Sequence, residues 1–93
     1  MDPEKLQKLR HTIDEIDSTI IDSLSARFSL LPSIVSQKHL LNLPLADEKH
    51  DGEVIQKIRQ KSSDAGINPN VGEKIFRIIL AESQRIQEGL EKK

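Results

Sequence analysis

The 93-residue chain has no cysteine, no tryptophan and no tyrosine, and only two phenylalanines, Phe28 and Phe76. Without cysteine there is no disulfide and no thiol nucleophile, which suits a reducing cytoplasm, the expected location. With so few aromatics the core must be built from Leu, Ile and Val. Scattered basic residues without aromatic neighbours also argue against a nucleic-acid surface. No apolar run approaches the roughly 20 residues of a membrane span, and charges throughout the first twenty positions leave no core for a secretory leader. Neither sign of charge dominates, with 14 Lys and Arg against 15 Asp and Glu. His11, His39 and His50 show no ligand spacing, so no metal or other cofactor is expected and any chemistry should rest on electrostatics and positioning.

Hydrophobic residues make up 35% of the chain and charged residues 31%, a globular composition in one domain spanning residues 1–93. Asp2-Pro3 is a helix start, an N-cap acceptor followed by a proline whose missing N–H costs nothing in the first turn. Apolar residues then recur at Leu6, Leu9, Ile13, Ile16 and Ile20, and the stripe continues through Leu24, Phe28, Leu31 and Val35. The spacing predicts one long helix over about 3–41. Pro32 lies inside it and should bend it, at a cost of about 3 kcal/mol; a true break there is the alternative, and the stripe's unbroken phase on both sides favours the kink. Asp47 is a second N-cap after the Pro44 turn, opening a helix over about 48–63 that carries Val54, Ile55 and Ile58. Asn68-Pro69 repeats the cap-and-proline signature and opens a third helix over about 69–91. No strand pattern is present, so the fold class is all-α, with one long helix and two shorter ones.

Length carries a further inference. A helix of about 39 residues spans about 58 Å, whereas a compact chain of this size is about 32 Å across. Two short helices cannot cover such a stripe, so a second copy is expected to do so, in an entwined antiparallel homodimer.

Polar residues interrupt the apolar faces. Successive helical residues are rotated by about 100°, which places Arg27 and Lys38, eleven residues apart, in the middle of the first stripe and Arg10 at its edge. Arg10 and Arg27 are about 25 Å apart along one helix, so they cannot hold one small ligand within one chain. In an antiparallel dimer, Arg10 of one copy could approach Arg27 and Lys38 of the other. Asp47 and Asp51 share the apolar face of the second helix, and Ser83 and Gln87 that of the third. The ordinary alternatives are ion pairs between these cations and aspartates, side chains reaching out to water, and Asp47 as a cap alone. Yet three inward cations exceed what two carboxylates neutralise, and buried ions cost several kcal/mol unless paired. The surplus points to a small polyanionic ligand within a helical bundle. His50, at the start of the second helix, could touch it.

With these residues in view, the chain resembles the all-helical, AroQ-type chorismate mutases. "LRHTIDEIDSTIIDSLSAR" is similar to the family's L-R-x-x-I-D-x-I-D-x-x-[IL]-[IL]-x-L-[IL]-x-x-R signature, with Ser23 at an apolar position. Lys38 matches the family's helix-one lysine, Asp47 its aspartate after the turn, and "LAESQRIQ" its [IL]-x-E-S-x-x-x-Q ending, all without gaps. The resemblance implies an entwined dimer with two equivalent sites and a cofactor-free rearrangement of chorismate to prephenate. It implies that Arg27 and the partner copy's arginine at position 10 hold the two substrate carboxylates. Lys38 and Gln87 are implied to bond the ether oxygen and Asp51 the substrate hydroxyl, with Ser83 and Asp47 lining the pocket.

The family's D-x-x-R-E is here "DEKHD". His50 replaces an arginine, so one carboxylate contact is expected to be lost or to depend on pH. Asp51 replaces a glutamate and is one methylene shorter. Pro32 stands where the family has a helix former. Two alternatives accompany the mutase reading. Isochorismate pyruvate lyase shares the fold and the cations, but Asp51, Ser83 and "LADEKHD" favour the mutase. A catalytically silent dimerisation or regulatory module is favoured by the altered DxxHD and opposed by the intact Arg10, Arg27, Lys38 and Gln87.

Overall fold

The structure is a computed structural model that describes residues 2–91. Every regular element among them is an α-helix: α1 Pro3–Ser29, α2 Leu31–Leu40, α3 Glu48–Asp64 and α4 Pro69–Glu91. The chain divides into two units, one ending at Leu30 and one beginning at Leu31.

The first unit is α1. Asp2 caps it, its Oδ1 accepting from the Lys5 N–H at 3.1 Å, with Pro3 in the first turn. None of its residues is buried. The stripe of Leu6, Leu9, Ile13, Ile16 and Ile20 is between 48% and 56% exposed along its whole length.

The helix expected over 3–41 runs as Pro3–Ser29 and Leu31–Leu40, interrupted at the single residue Leu30. Helical bonding lapses at Leu30, whose N–H reaches Arg27 O at 3.3 Å, although its backbone stays right-handed at φ −83° and ψ −14°. Pro32 is the cause. It has no N–H for the Phe28 carbonyl four residues back, and its ring crowds that carbonyl. With the lapse at Leu30, Pro32 falls on the second residue of α2, where no intrahelical acceptor awaits its missing N–H.

The second unit packs α4 against both α3 and α2. Its core is aliphatic, with Leu31, Val35, Ile55 and Ile79 all buried. Both connections use the same closure. After α2, Asn42 adopts φ 55°, its N–H reaching His39 O at 3.2 Å while Leu43 N–H reaches Lys38 O at 2.8 Å. After α3, Gly66 adopts φ 77°, its N–H reaching Ser63 O at 3.0 Å while Ile67 N–H reaches Ser62 O at 2.8 Å. These paired bonds satisfy the last carbonyls of each helix through a left-handed residue, the Schellman arrangement.

The α3 and α4 backbones approach closely at Gly72. A methyl group there would collide with Ser62 Oγ and lie 3.1 Å from Ser62 Cβ. Farther out, Arg59 on α3 donates to Glu73 on α4 at 2.9 Å, and Arg77 donates to the other oxygen of the same carboxylate at 2.8 Å.

Candidate active site

Three of the polar residues singled out by their phase belong to one cluster in the second unit. Ser83 and Gln87 are i, i+4 on α4, and both are buried. Ser83 Oγ donates to Ile79 O at 2.9 Å, a bond to the preceding turn that lets a hydroxyl sit inside the packing. Gln87 reaches toward α2, where its Oε1 accepts from Lys38 Nζ at 2.8 Å. Lys38 is half-buried, and its Nζ also donates to the Leu45 carbonyl at 2.6 Å.

This arrangement fixes the chemistry of both side chains. An ammonium only donates, so the Gln87 amide must turn its oxygen toward Lys38 and present its NH₂ elsewhere. Two of the three Lys38 N–H bonds are committed to oxygens, leaving one. The cluster therefore offers an ammonium proton and an amide N–H, held by one bond between residues 49 apart in sequence and one between residues seven apart. A cleft of about 440 Å³ flanks it, lined by Lys38, His39, the 42–45 turn and Glu91.

The aspartates lie at the opening of α3. Asp47 is its N-cap, the Oδ1 accepting from His50 N–H at 3.0 Å, and Asp47 O accepts from Asp51 N–H at 3.0 Å. Asp51 is half-buried, whereas Asp47 and His50 are exposed. The capping bond thus employs the Asp47 carboxylate and the main chain of His50, and leaves the His50 ring in solvent. The two arginines belong to the first unit. Arg10 is exposed, and Arg27, in the last turn of α1, is half-buried.

Of the seven residues expected to point inward, Ser83 and Gln87 are thus buried within the chain, and Lys38, Asp51 and Arg27 are half-covered. Arg10 and Asp47 are exposed. The contact for which residue types give no signal is the Leu45 carbonyl, a main-chain acceptor that any side chain could carry. Among the described residues, no group of three His, Cys, Asp or Glu could hold a metal ion, and no helix is long and apolar enough to cross a membrane.

Comparison with known proteins places these residues in a family context. The family model described as chorismate mutase type II matches residues 9–88, a span that includes every residue of the candidate site. A chorismate mutase of Methanocaldococcus jannaschii is 31% identical over 84 residues, covering 90% of this chain and 85% of that protein. The T-protein of Haemophilus influenzae is 29% identical over 80 residues, covering 86% of this chain and 21% of that protein.

Proposed function

The chain belongs to the type II chorismate mutase family, and on that premise we propose how its residues isomerise chorismate to prephenate. The reaction breaks one C–O bond and forms one C–C bond within the same molecule. No proton, electron or leaving group passes to the protein. What remains for the protein is to hold a flexible dianion in its reactive shape and to aim fixed donors at the oxygen that gains negative charge.

The observation that carries the reading is the Lys38–Gln87 contact. The ether oxygen of the substrate lies against the remaining Lys38 N–H and the Gln87 amide N–H, both set in place before the substrate arrives. Donors fixed in this way stabilise the developing charge without reorganising. Removing one such donor elsewhere costs on the order of 100- to 1,000-fold in rate. Arg27 holds one substrate carboxylate. Asp51 accepts from the substrate hydroxyl, and Ser83 and Asp47 line the pocket. His50 takes the place of a carboxylate-binding arginine and gives a weaker contact.

The second carboxylate is held by Arg10 of a second copy in an entwined antiparallel homodimer. The support for this is α1. Its five-residue apolar stripe is about half exposed throughout, and covering the exposed half of a large aliphatic side chain is worth on the order of 1 kcal/mol. A second α1 laid against it gains that at every position of both stripes.

One assay tests the function. Incubation with chorismate should yield prephenate, and incubation with isochorismate should yield neither salicylate nor pyruvate. Salicylate from isochorismate would establish a lyase instead, and no turnover of either compound would establish a silent module.

A further inference from the structure

We infer that the turn between α2 and α3 is a positioning device for the Lys38 ammonium, and that Asn42 acts on the reaction through Lys38 without touching the substrate. The kinetic consequence rests on the mutase reading above; the geometry does not depend on it.

Lys38 is tied to this turn at both of its ends. Its carbonyl accepts from Leu43 N–H at 2.8 Å, and its Nζ donates to the Leu45 carbonyl at 2.6 Å. The first bond is half of the Schellman closure, which exists only because Asn42 enters the left-handed region at φ 55°. The second follows from the first. Once the chain has reversed at Asn42, Pro44 has a fixed φ and restricts Leu43 before it, so little freedom is left by Leu45. The Leu45 carbonyl is thereby returned to the side chain seven residues behind it.

A lysine side chain has four rotatable bonds and loses much freedom when it is ordered. One acceptor on α4, Gln87 Oε1, lets the ammonium pivot. A second acceptor on the turn removes that pivot and directs the one remaining N–H. Displacement of a reacting group by about 1 Å can cost on the order of 100-fold in rate. The turn therefore has leverage on the chemistry with no contact to the substrate. Asparagine is among the few residues other than glycine that visit this dihedral readily, whereas a β-branched residue there is strained.

The test compares five chains, the unmodified one, Asn42→Gly, Asn42→Val, Lys38→Ala and the Lys38→Ala, Asn42→Val double variant, with two readouts. Asn42→Gly keeps the dihedral and should hold kcat within about twofold. Asn42→Val should lower kcat about 10-fold or more while KM changes little. In the Lys38→Ala background the same Asn42→Val change should have less than about a twofold effect, since its route is already gone. The second readout is the ¹⁵N–¹H signal of the Lys38 NH₃⁺ group, expected in the unmodified chain and in Asn42→Gly and lost in Asn42→Val. Should Asn42→Val fail to fold by far-UV circular dichroism, Asn42→Ala replaces it under the same criteria. An Asn42→Val chain that keeps its kcat and its NH₃⁺ signal overturns the inference, as does an equal loss of rate with and without Lys38. If the unmodified chain turns over no chorismate, the mutase reading fails and the NH₃⁺ signal alone decides the positioning role.

Discussion

Lys38 and Gln87, 49 positions apart in the chain, meet at 2.8 Å between Nζ and Oε1. The pairing joins α2 to α4 and orients the amide so that both side chains present donors. It also explains why a glutamine, and not a second cation, is buried beside the lysine. An amide oxygen accepts from the ammonium without adding a charge to a partly desolvated site.

Removing either partner tests that pairing. Lys38→Ala and Gln87→Ala should each lower kcat by about 100-fold or more and leave the helical content unchanged by circular dichroism. Gln87→Glu is more selective. Its ionised carboxylate bonds Lys38 but donates nothing, so turnover should be low at pH 7. It should rise as the pH falls and the carboxyl gains a proton it can donate. A Gln87→Glu chain as active at pH 7 as the unmodified one would separate Gln87 from the reaction.

His50 offers a gain instead of a loss. Its ring is exposed at the start of α3, and its main-chain N–H is engaged to Asp47. His50→Arg restores a permanently charged fork that can bind a carboxylate with two hydrogen bonds. KM for chorismate should fall several-fold at pH 8, with kcat little changed. An unaltered KM would place position 50 outside the substrate's reach.

The Arg59–Glu73–Arg77 network gives a pH signature of stability. The Glu73 carboxyl is held below the usual carboxylate range, chiefly by its hydrogen bond from Arg77 and further by that from Arg59, against the opposing effect of desolvation. A carboxyl lowered on folding contributes stability that is present above its unfolded value, near 4.5, and is lost as the pH falls through the folded value. Glu73→Gln should therefore lower Tm at pH 7, and the difference should shrink as melts are taken below pH 4. A difference that is constant with pH would remove the electrostatic explanation.

Gly72 carries a packing prediction with a definite sign. In an exposed helix, alanine is more stable than glycine by about 1 kcal/mol. Here the added methyl meets the Ser62 hydroxyl and its Cβ, and overpacking typically costs about 1–3 kcal/mol. Ser62 cannot withdraw easily, because its Oγ donates to Ile58 O at 2.7 Å. Gly72→Ala should lower the urea midpoint, and Ser62→Gly in the same chain should recover part of the loss. A stabilised Gly72→Ala chain would mean that α3 and α4 separate more readily than their packing indicates.

How much of this was legible beforehand depended on where the determinant lay. The caps were visible as residue types, and Asp2, Asp47 and Asn68 each accept the bond that their position implies. The burial of Ser83 and Gln87 was legible because i, i+4 spacing put both on the apolar arc of their helix. The lapse at Leu30 was legible only as the less favoured alternative, a break at Pro32. A single residue that leaves helical bonding while keeping near-helical dihedrals does not disturb the phase, and Leu31 and Val35 continue the stripe as buried residues. The Leu45 carbonyl was invisible for a different reason, since main-chain acceptors carry no residue signature. Val71, Ile75 and Ile78 lie on the apolar side of α4 yet are 45–72% exposed, because periodicity identifies a face without identifying what covers it.

The central claim is that Lys38 and Gln87 act on a substrate held from the other side by Arg10 of a second copy. It is tested most directly by the rate of prephenate formation in a refolded equal mixture of Arg10→Ala and Lys38→Ala chains. Each variant alone should be nearly inactive. In a mixed dimer one site collects both substitutions and the other collects neither. Random pairing should therefore restore about a quarter of the unmodified rate. A mixture no faster than the average of its two components would contradict the shared site.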